Sequence, residues 1–452
     1  MKLNQARFHF VGVGGIGMCG LAELLFNMGA TVSGSDAAEN ANTLRLQELG
    51  LKIYKGHKSS QVENVDVVVY SSAIQFTNPE IAEARARQIP LIPRAEALAE
   101  IMRLKRGLAV AGTHGKTTTT SMCSAIFLHA NLSPTIVIGG RFDLINSTAL
   151  LGEGEWLVAE ADESDGSFHK LNPEIGIITN IDSDHLDHFK TFENLQKAFV
   201  DFALKIPFYG TCVVCGDDPQ IRQCFDSFPK RIIYYGFQEH NDLILQGANG
   251  KYSLYRNDKL LRSKQKIGDF VMNVPGQHNA LNAVAAMAAA MSTGLDFATC
   301  AQGIAKFVGV DRRFHFKGEK KNIKIYDDYG HHPTEVRAVL QAFREKFPQQ
   351  RVVVYFQPHR YSRTQHCWHD FTKAFIQADL VYIGDIYAAG EAPLPGIDSA
   401  KLAHDLQHPK ALHANKDKAL SMIMSELKPE DVFVTLGAGD GWKLGMEILN
   451  QL

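Results

Sequence analysis

The segment Ala111-Gly112-Thr113-His114-Gly115-Lys116-Thr117-Thr118 closes an apolar stretch over residues 108–111 and leads into residues that open a helix. A strand-to-helix turn carrying two glycines and a lysine constrains the fold strongly, because it builds a phosphate-binding α/β unit. Gly112 and Gly115 let backbone N–H groups close on phosphate oxygens, Lys116 adds positive charge, and Thr117 offers its hydroxyl to a phosphate-bound Mg²⁺. The longer phosphate-loop pattern requires glycine at 110, where this chain has Val110, so the match is to the shorter form G-T-x-G-K-T.

Around this loop, apolar strand patterns alternate with helical ones, which predicts a parallel sheet covered by helices. The first unit runs through residues 8–14, a helix over 18–28, a strand at 30–36, a helix over 43–49 and strands at 51–57 and 65–74. A second unit opens at residue 106, after a helix containing residues 95–102, and ends in an alanine-rich helix over 279–291. A third begins after residues 311–314, with strands that each end in polar or glycine residues. At 452 residues the chain is too long for one core, and an α/β protein of three domains is expected, with boundaries 1–105, 106–312 and 313–452.

The charge balance, 47 Lys and Arg against 49 Asp and Glu, gives no basic field for nucleic acid. No apolar run approaches the roughly 20 residues of a membrane helix. The N-terminus goes straight into a strand pattern without a cleavable signal, so a cytoplasmic protein is expected. Cys212-Val213-Val214-Cys215 lacks the second half of a zinc site, and the cysteines read as reduced core thiols.

Each strand end carries a polar cluster. Gly12, Gly14, Gly15 and Gly17 form G-x-G-x-x-G, with Asp36 at the end of the next strand; this fits a diphosphate with an attached sugar, whether a UDP-sugar or NAD. Ser71 and Ser72 are candidate extra donors. Glu160, Asp162, Glu163 and Asp165 follow an apolar strand and would repel one another unless a cation, naturally Mg²⁺, shares them. His185 stands among further carboxylates and is read as a site residue, whereas His188 is read as a surface residue. Asn279 and Asn282, three apart on one helix, can read a base edge. Arg360 and Arg363 are spaced to project together from one helical turn and capture a carboxylate or phosphate.

The combination resembles the Mur ligases of bacterial cell-wall synthesis. The shared marks are residues 112–117, Glu160, Asn180 with His185, Gly276-x-His278-Asn279-x-x-Asn282 and Arg312-Arg313. Within that family GVGGIGM, EADESD, DDYGHHPTE, FQPHRYSRT, GEAP and TLGAGD look like the branch that adds L-alanine. The resemblance spans essentially the whole chain. It implies an N-terminal Rossmann-like domain for a UDP-sugar, a central phosphate-loop ATPase domain and a C-terminal Rossmann-like domain for the amino acid.

The implied reaction joins L-alanine to the lactoyl carboxylate of UDP-N-acetylmuramate through an acyl phosphate, with ATP and Mg²⁺ or Mn²⁺, in peptidoglycan precursor synthesis. By the same resemblance Gly12, Gly14, Gly15, Gly17, Asp36, Ser71 and Ser72 hold the UDP-sugar. Residues 112–118 and Asn279, Asn282, Arg312 and Asp328 hold ATP; in the loop these are Gly112, Thr113, His114, Gly115, Lys116, Thr117 and Thr118. Thr117, Glu160 and His185 hold metal, and Tyr329, His331, Arg360 and Arg363 take the alanine. Lys116, Glu160, His185, His331, Arg360 and Arg363 carry the catalytic roles.

Other Mur ligases carry a carbamoylated lysine at a register that falls near Phe199 here, so none is transferred. The expected partners are small molecules, with neither nucleic acid nor membrane, on a monomer or weak homodimer. A Mur ligase taking a tripeptide stands as one alternative. An NAD-dependent oxidoreductase stands as another, but it leaves the phosphate loop, acidic cluster and arginines unexplained.

Overall fold

Three β-sheets organise the chain in the computed structural model, which describes residues 3–71, 73–145, 147–258 and 263–452. Ser72 lies outside the described residues. The chain divides into two compact units, Met1–Gln246 with Tyr252–Val271 and Leu281–Phe307, and Gly247–Lys251 with Met272–Ala280 and Val308–Leu452.

In the first unit, the N-terminal sheet is parallel in the order Lys52–Lys55, Thr31–Asp36, Arg7–Val11, Val67–Tyr70, Leu91–Pro93. The order reverses between Arg7–Val11 and Val67–Tyr70, so a crevice opens at their carboxyl ends, where the glycine run and Ser71 stand. Phe8, Phe10 and Val11 are buried, as a strand covered on both faces requires. The helix that follows spans Ile16–Asn27, two residues earlier than its apolar spacing indicates. Gly17 adds nothing to that spacing, yet it is already helical.

The same unit holds most of a ten-stranded sheet. At its centre Arg106–Ala111 lies between Ile175–Ile178 and Trp156–Glu160, all parallel. The phosphate loop, the acidic segment and the 180–185 segment therefore leave three neighbouring strands at the same end. Helix Lys116–His129 packs beneath them; Phe127 meets Trp156 edge-on at 5.6 Å, and both are fully buried. Burial of such side chains stabilises by about 1.5–3 kcal/mol each. The reading of the sequence did not place the hairpin Thr135–Phe142 and Ser147–Leu150, or the edge strand Ser263–Val271. The latter is exposed along most of its length, so no apolar alternation marks it.

In the second unit the order is His315–Lys320, Ile323–Asp328, Val432–Leu436, Val352–Phe356, Leu380–Ile383, Ala411–His413, with only the first pair antiparallel. Alternation sorts Val352–Phe356 between two cores: Val354 and Phe356 pack with Leu340 and Phe343, while Val353 and Tyr355 pack with Ile423 and Ile448. Helix Pro333–Lys346 starts with proline in its first turn and a capping box in which Glu335 Oε2 accepts the His331 and His332 N–H groups.

Among the described residues no helix is long and apolar enough to cross a membrane. The seven cysteines are unbridged, and all but Cys224 are buried.

Candidate active site

The phosphate loop turns on Gly112 at φ +129° and Gly115 at φ +81°, values that side chains resist. A Cβ on Gly112 would stand 2.0 Å from Thr179 Oγ1, and one on Gly115 2.8 Å from Asn282 Oδ1. The neighbouring strand end clamps the loop. Thr179 Oγ1 and Asn180 Nδ2 donate to the His114 carbonyl at 2.6 and 3.0 Å, and Asn180 Oδ1 accepts the His114 N–H at 2.9 Å. Thr113 Oγ1 accepts the Asp182 N–H at 3.0 Å, and His114 Nε2 lies 3.0 Å from Asp182 Oδ2. Thr113 and His114, expected as nucleotide contacts, thus tie the loop to the next strand. Thr117 is half-buried and Thr118 buried in the first turn of the helix.

Lys116 Nζ donates to the Gly112 and Thr113 carbonyls at 2.8 and 3.1 Å and to Glu163 Oε1 at 2.8 Å. Burial alone would lower its pKa, but the surrounding charge of Glu163, Asp162 and Glu160 holds it above the ordinary lysine value. Burial pushes Glu163 up to about 7, against the pull of Lys116. His185, at φ +56°, brings Nε2 to 3.7 Å from Glu163 Oε1. Glu160 Oε2 accepts the Gly139 N–H at 2.9 Å.

A divalent cation fits this donor set. Glu163 Oε2 is buried without a hydrogen-bond partner, and Glu160, Asp162 and the Thr117 hydroxyl are further oxygen donors of the kind Mg²⁺ takes. Glu163 is the residue that sequence reasoning did not single out. It stood among four neighbouring carboxylates with nothing to say which would turn inward.

At the N-terminal sheet Gly12 has φ +83°, and Gly15 precedes the first helical residue. Asp36 faces this loop: Oδ2 accepts the Gly14 N–H at 2.8 Å and Oδ1 the Ala38 N–H at 3.2 Å. Backbone donors of two loops thus already engage this carboxylate. Asn42 Nδ2 ties down the Gly14 carbonyl at 2.8 Å. A cleft of about 270 Å³ joins this loop to the acidic strand end; Gly15, Gly17 and Ser71 line one side, Gly139, Glu160 and Asp162 the other, and Arg94 the passage between.

In the second unit, Tyr329 lies with its ring 5.0 and 5.1 Å from the Arg312 and Arg313 guanidinium carbons and 5.4 Å from the His331 ring. His331 stands 5.9 Å from the ring of His359, which stacks on Tyr387. Arg363, buried, approaches His359 Nδ1 at 3.3 Å. Tyr329, His331 and Arg363 therefore gather at one end of the sheet.

Arg360 departs from expectation. It precedes helix Tyr361–His366 at φ +70°, and its Nε donates to Glu391 Oε1 at 2.6 Å. Ser362 donates to the same carboxylate through Oγ and its backbone N–H. Against a burial penalty, these Ser362 and Arg360 contacts hold Glu391 below the usual carboxylate range. The two arginines thus do not share a helical turn.

Arg312 and Asp328, expected at the ATP, both make contacts within the second unit. Arg312 Nε donates to Asp327 Oδ2 at 2.9 Å, and its terminal nitrogens donate to the Gly437 and Gly439 carbonyls at 2.6 and 3.3 Å. Asp328 is buried and accepts the Phe314 and Gly330 N–H groups at 2.7 and 2.8 Å; burial pushes its pKa up to about 6. Both latch strand ends. Asn279 lies in the first turn of helix Gln277–Met291, which starts two residues earlier than expected, and donates from Nδ2 to the Pro275 carbonyl at 2.7 Å. Asn282 is buried against Gly115.

The glycine crevice, phosphate loop and third sheet coincide with three known domains: the Mur ligase family catalytic domain matches residues 7–106, the Mur ligase middle domain 110–290, and the Mur ligase glutamate ligase domain 312–439. The chain belongs to the Mur ligase family. A UDP-N-acetylmuramate–L-alanine ligase of Bdellovibrio bacteriovorus is 74% identical over 453 residues, covering 100% of each chain. One from Geobacter sp. strain M21 is 48% identical, covering 99% of this chain and 97% of its own. Among solved structures, the UDP-N-acetylmuramate-alanine ligase of Thermotoga maritima superimposes with TM-score 0.81 at 29% identity, covering 99% of each chain.

Proposed function

We propose that this protein joins L-alanine to the lactoyl carboxylate of UDP-N-acetylmuramate, converting ATP to ADP and phosphate, in peptidoglycan precursor synthesis. One observation carries the reading furthest: a single cleft runs from the glycine loop that suits a diphosphate to Glu160 and Asp162, close to Lys116. The 74% identity with an L-alanine ligase over the full length supports the same substrates.

Residues 1–105 bind the UDP end through the N–H groups of Gly14, Gly15 and Gly17, with Ser71 beside them. Residues 106–312 bind ATP, its phosphates in the loop and its adenine at Asn279 and Asn282. The lactoyl carboxylate oxygen attacks the γ-phosphorus and ADP leaves, giving an acyl phosphate. Lys116 follows the charge that builds on the transferring group. Thr117, Glu160 and His185 would hold the Mg²⁺, with Glu163 close by, and the ion when bound adds further neutralisation of phosphate charge.

Residues 313–452 bind the amino acid. Arg360 and Arg363 take the alanine carboxylate, and Tyr329 and His331 line its pocket. The amine attacks the acyl carbon, phosphate leaves with the former carboxylate oxygen, and the amide remains. Isotope transfer tests this order: UDP-N-acetylmuramate labelled with ¹⁸O in its lactoyl carboxylate delivers one labelled oxygen to the released phosphate. Phosphate free of label overturns the acyl-phosphate route.

A further inference from the structure

Among the described side chains that line the cleft, Arg94 is the cation. It begins helix Arg94–Met102, directly after strand Leu91–Pro93, at the carboxyl edge of the N-terminal sheet. Its guanidinium lies across the first turn of the glycine-loop helix, where a Cβ on Gly17 would come to 3.0 Å from one terminal nitrogen. It faces Asp162 Oδ2 at 3.6 Å, an ion pair too long for a hydrogen bond, with a quarter of the arginine side chain exposed.

The cleft walls otherwise carry Glu160 and Asp162, so a substrate carboxylate entering it meets negative charge unless a cation receives it. The N–H groups at the start of helix Ile16–Asn27 already suit a diphosphate, which leaves the arginine for a second anion. A guanidinium fork matches a carboxylate in two parallel hydrogen bonds, and the long contact with Asp162 is readily exchanged for them. Asp162 also feels the charge of Lys116, so a carboxylate on Arg94 lies one side chain away from the phosphate loop.

We infer that Arg94 receives the carboxylate of the sugar nucleotide's lactoyl arm, and so distinguishes UDP-N-acetylmuramate from UDP-sugars that lack this arm. The inference rests on the reading of the reaction given above. Arg94 is in this sense a specificity-determining residue, and it acts in binding before any chemistry.

Calorimetric titration of UDP-N-acetylmuramate and of UDP-N-acetylglucosamine into the full-length protein, without ATP or amino acid, tests it. Arg94→Gln weakens UDP-N-acetylmuramate by about tenfold to a hundredfold, the value of a charge-assisted pair, and leaves UDP-N-acetylglucosamine unchanged. Arg94→Lys recovers part of the loss. Retained UDP-N-acetylglucosamine binding also reports that the variant is folded. Equal weakening of both ligands overturns the inference in favour of a diphosphate contact, and weakening of neither overturns it outright. A wild-type protein that binds UDP-N-acetylmuramate no tighter than UDP-N-acetylglucosamine overturns the inference alone; one that binds neither overturns the ligase reading with it.

Discussion

Lys116 Nζ donates to Glu163 Oε1 at 2.8 Å, joining two side chains that water scarcely reaches, with 13% and 0% of their surface exposed. Two loop carbonyls take further hydrogen bonds from the ammonium, so the lysine lies folded back against its own loop. Phosphate binding has to draw it out.

Breaking such a buried pair from one side leaves an uncompensated charge. Lys116→Met and Glu163→Gln are each expected to lose about 3–5 kcal/mol, and the double variant to recover much of that, in urea unfolding of all four proteins. Additive losses would mean that the pair is not coupled. Lys116→Ala is also expected to lower turnover by at least about a hundredfold while UDP-sugar binding is retained. Loss of both together would point to a misfolded chain.

Gly112 cannot accept a side chain, for two independent reasons: its φ of +129° and the 2.0 Å gap to Thr179 Oγ1. Gly112→Ala is expected to cost about 1–3 kcal/mol and to weaken ADP binding, measured by thermal melts with and without nucleotide. A variant with wild-type ADP affinity would remove the loop from the nucleotide site.

Burial raises Asp328 from 3.8 to about 6, so the folded protein holds this proton more tightly than the unfolded chain between those values. Stability contributed at this position therefore falls as pH rises through about 4 to 6 and is level above. At about 1.4 kcal/mol per pH unit, the stability of the wild type relative to Asp328→Asn is expected to drop by about 2–3 kcal/mol across the window. Urea unfolding at fixed pH values measures it, and a difference independent of pH would contradict the assignment.

Glu391 fixes the side chain of Arg360. Glu391→Gln is expected to raise the KM for L-alanine about tenfold, as loss of a charge-assisted contact implies, with the KM for ATP unchanged. Equal effects on both substrates would place Arg360 outside the amino-acid pocket.

Much of this was legible in the sequence, because some features are local. The G-T-x-G-K-T turn needs its two glycines whatever surrounds it, and Thr211–Cys215 reads as a strand from five residues alone. What escaped depends on partners distant in the chain. Acidic residues at strand ends suggest ligands, yet Asp36 meets the backbone N–H of Gly14, 22 residues earlier, and Asp328 that of Phe314, 14 residues earlier. Arg94 follows a proline and precedes an alanine-rich turn, and only the folded cleft shows what it faces. Arg360 and Arg363 have helical spacing, but the helix begins one residue too late to hold both.

Phosphate release from ATP and Mg²⁺, with UDP-N-acetylmuramate and with L-alanine, glycine, L-serine or the tripeptide as acceptor, tests the central claim most directly. The account predicts release that requires both the sugar nucleotide and L-alanine. Release that only the tripeptide supports, or that proceeds without any acceptor, would contradict it.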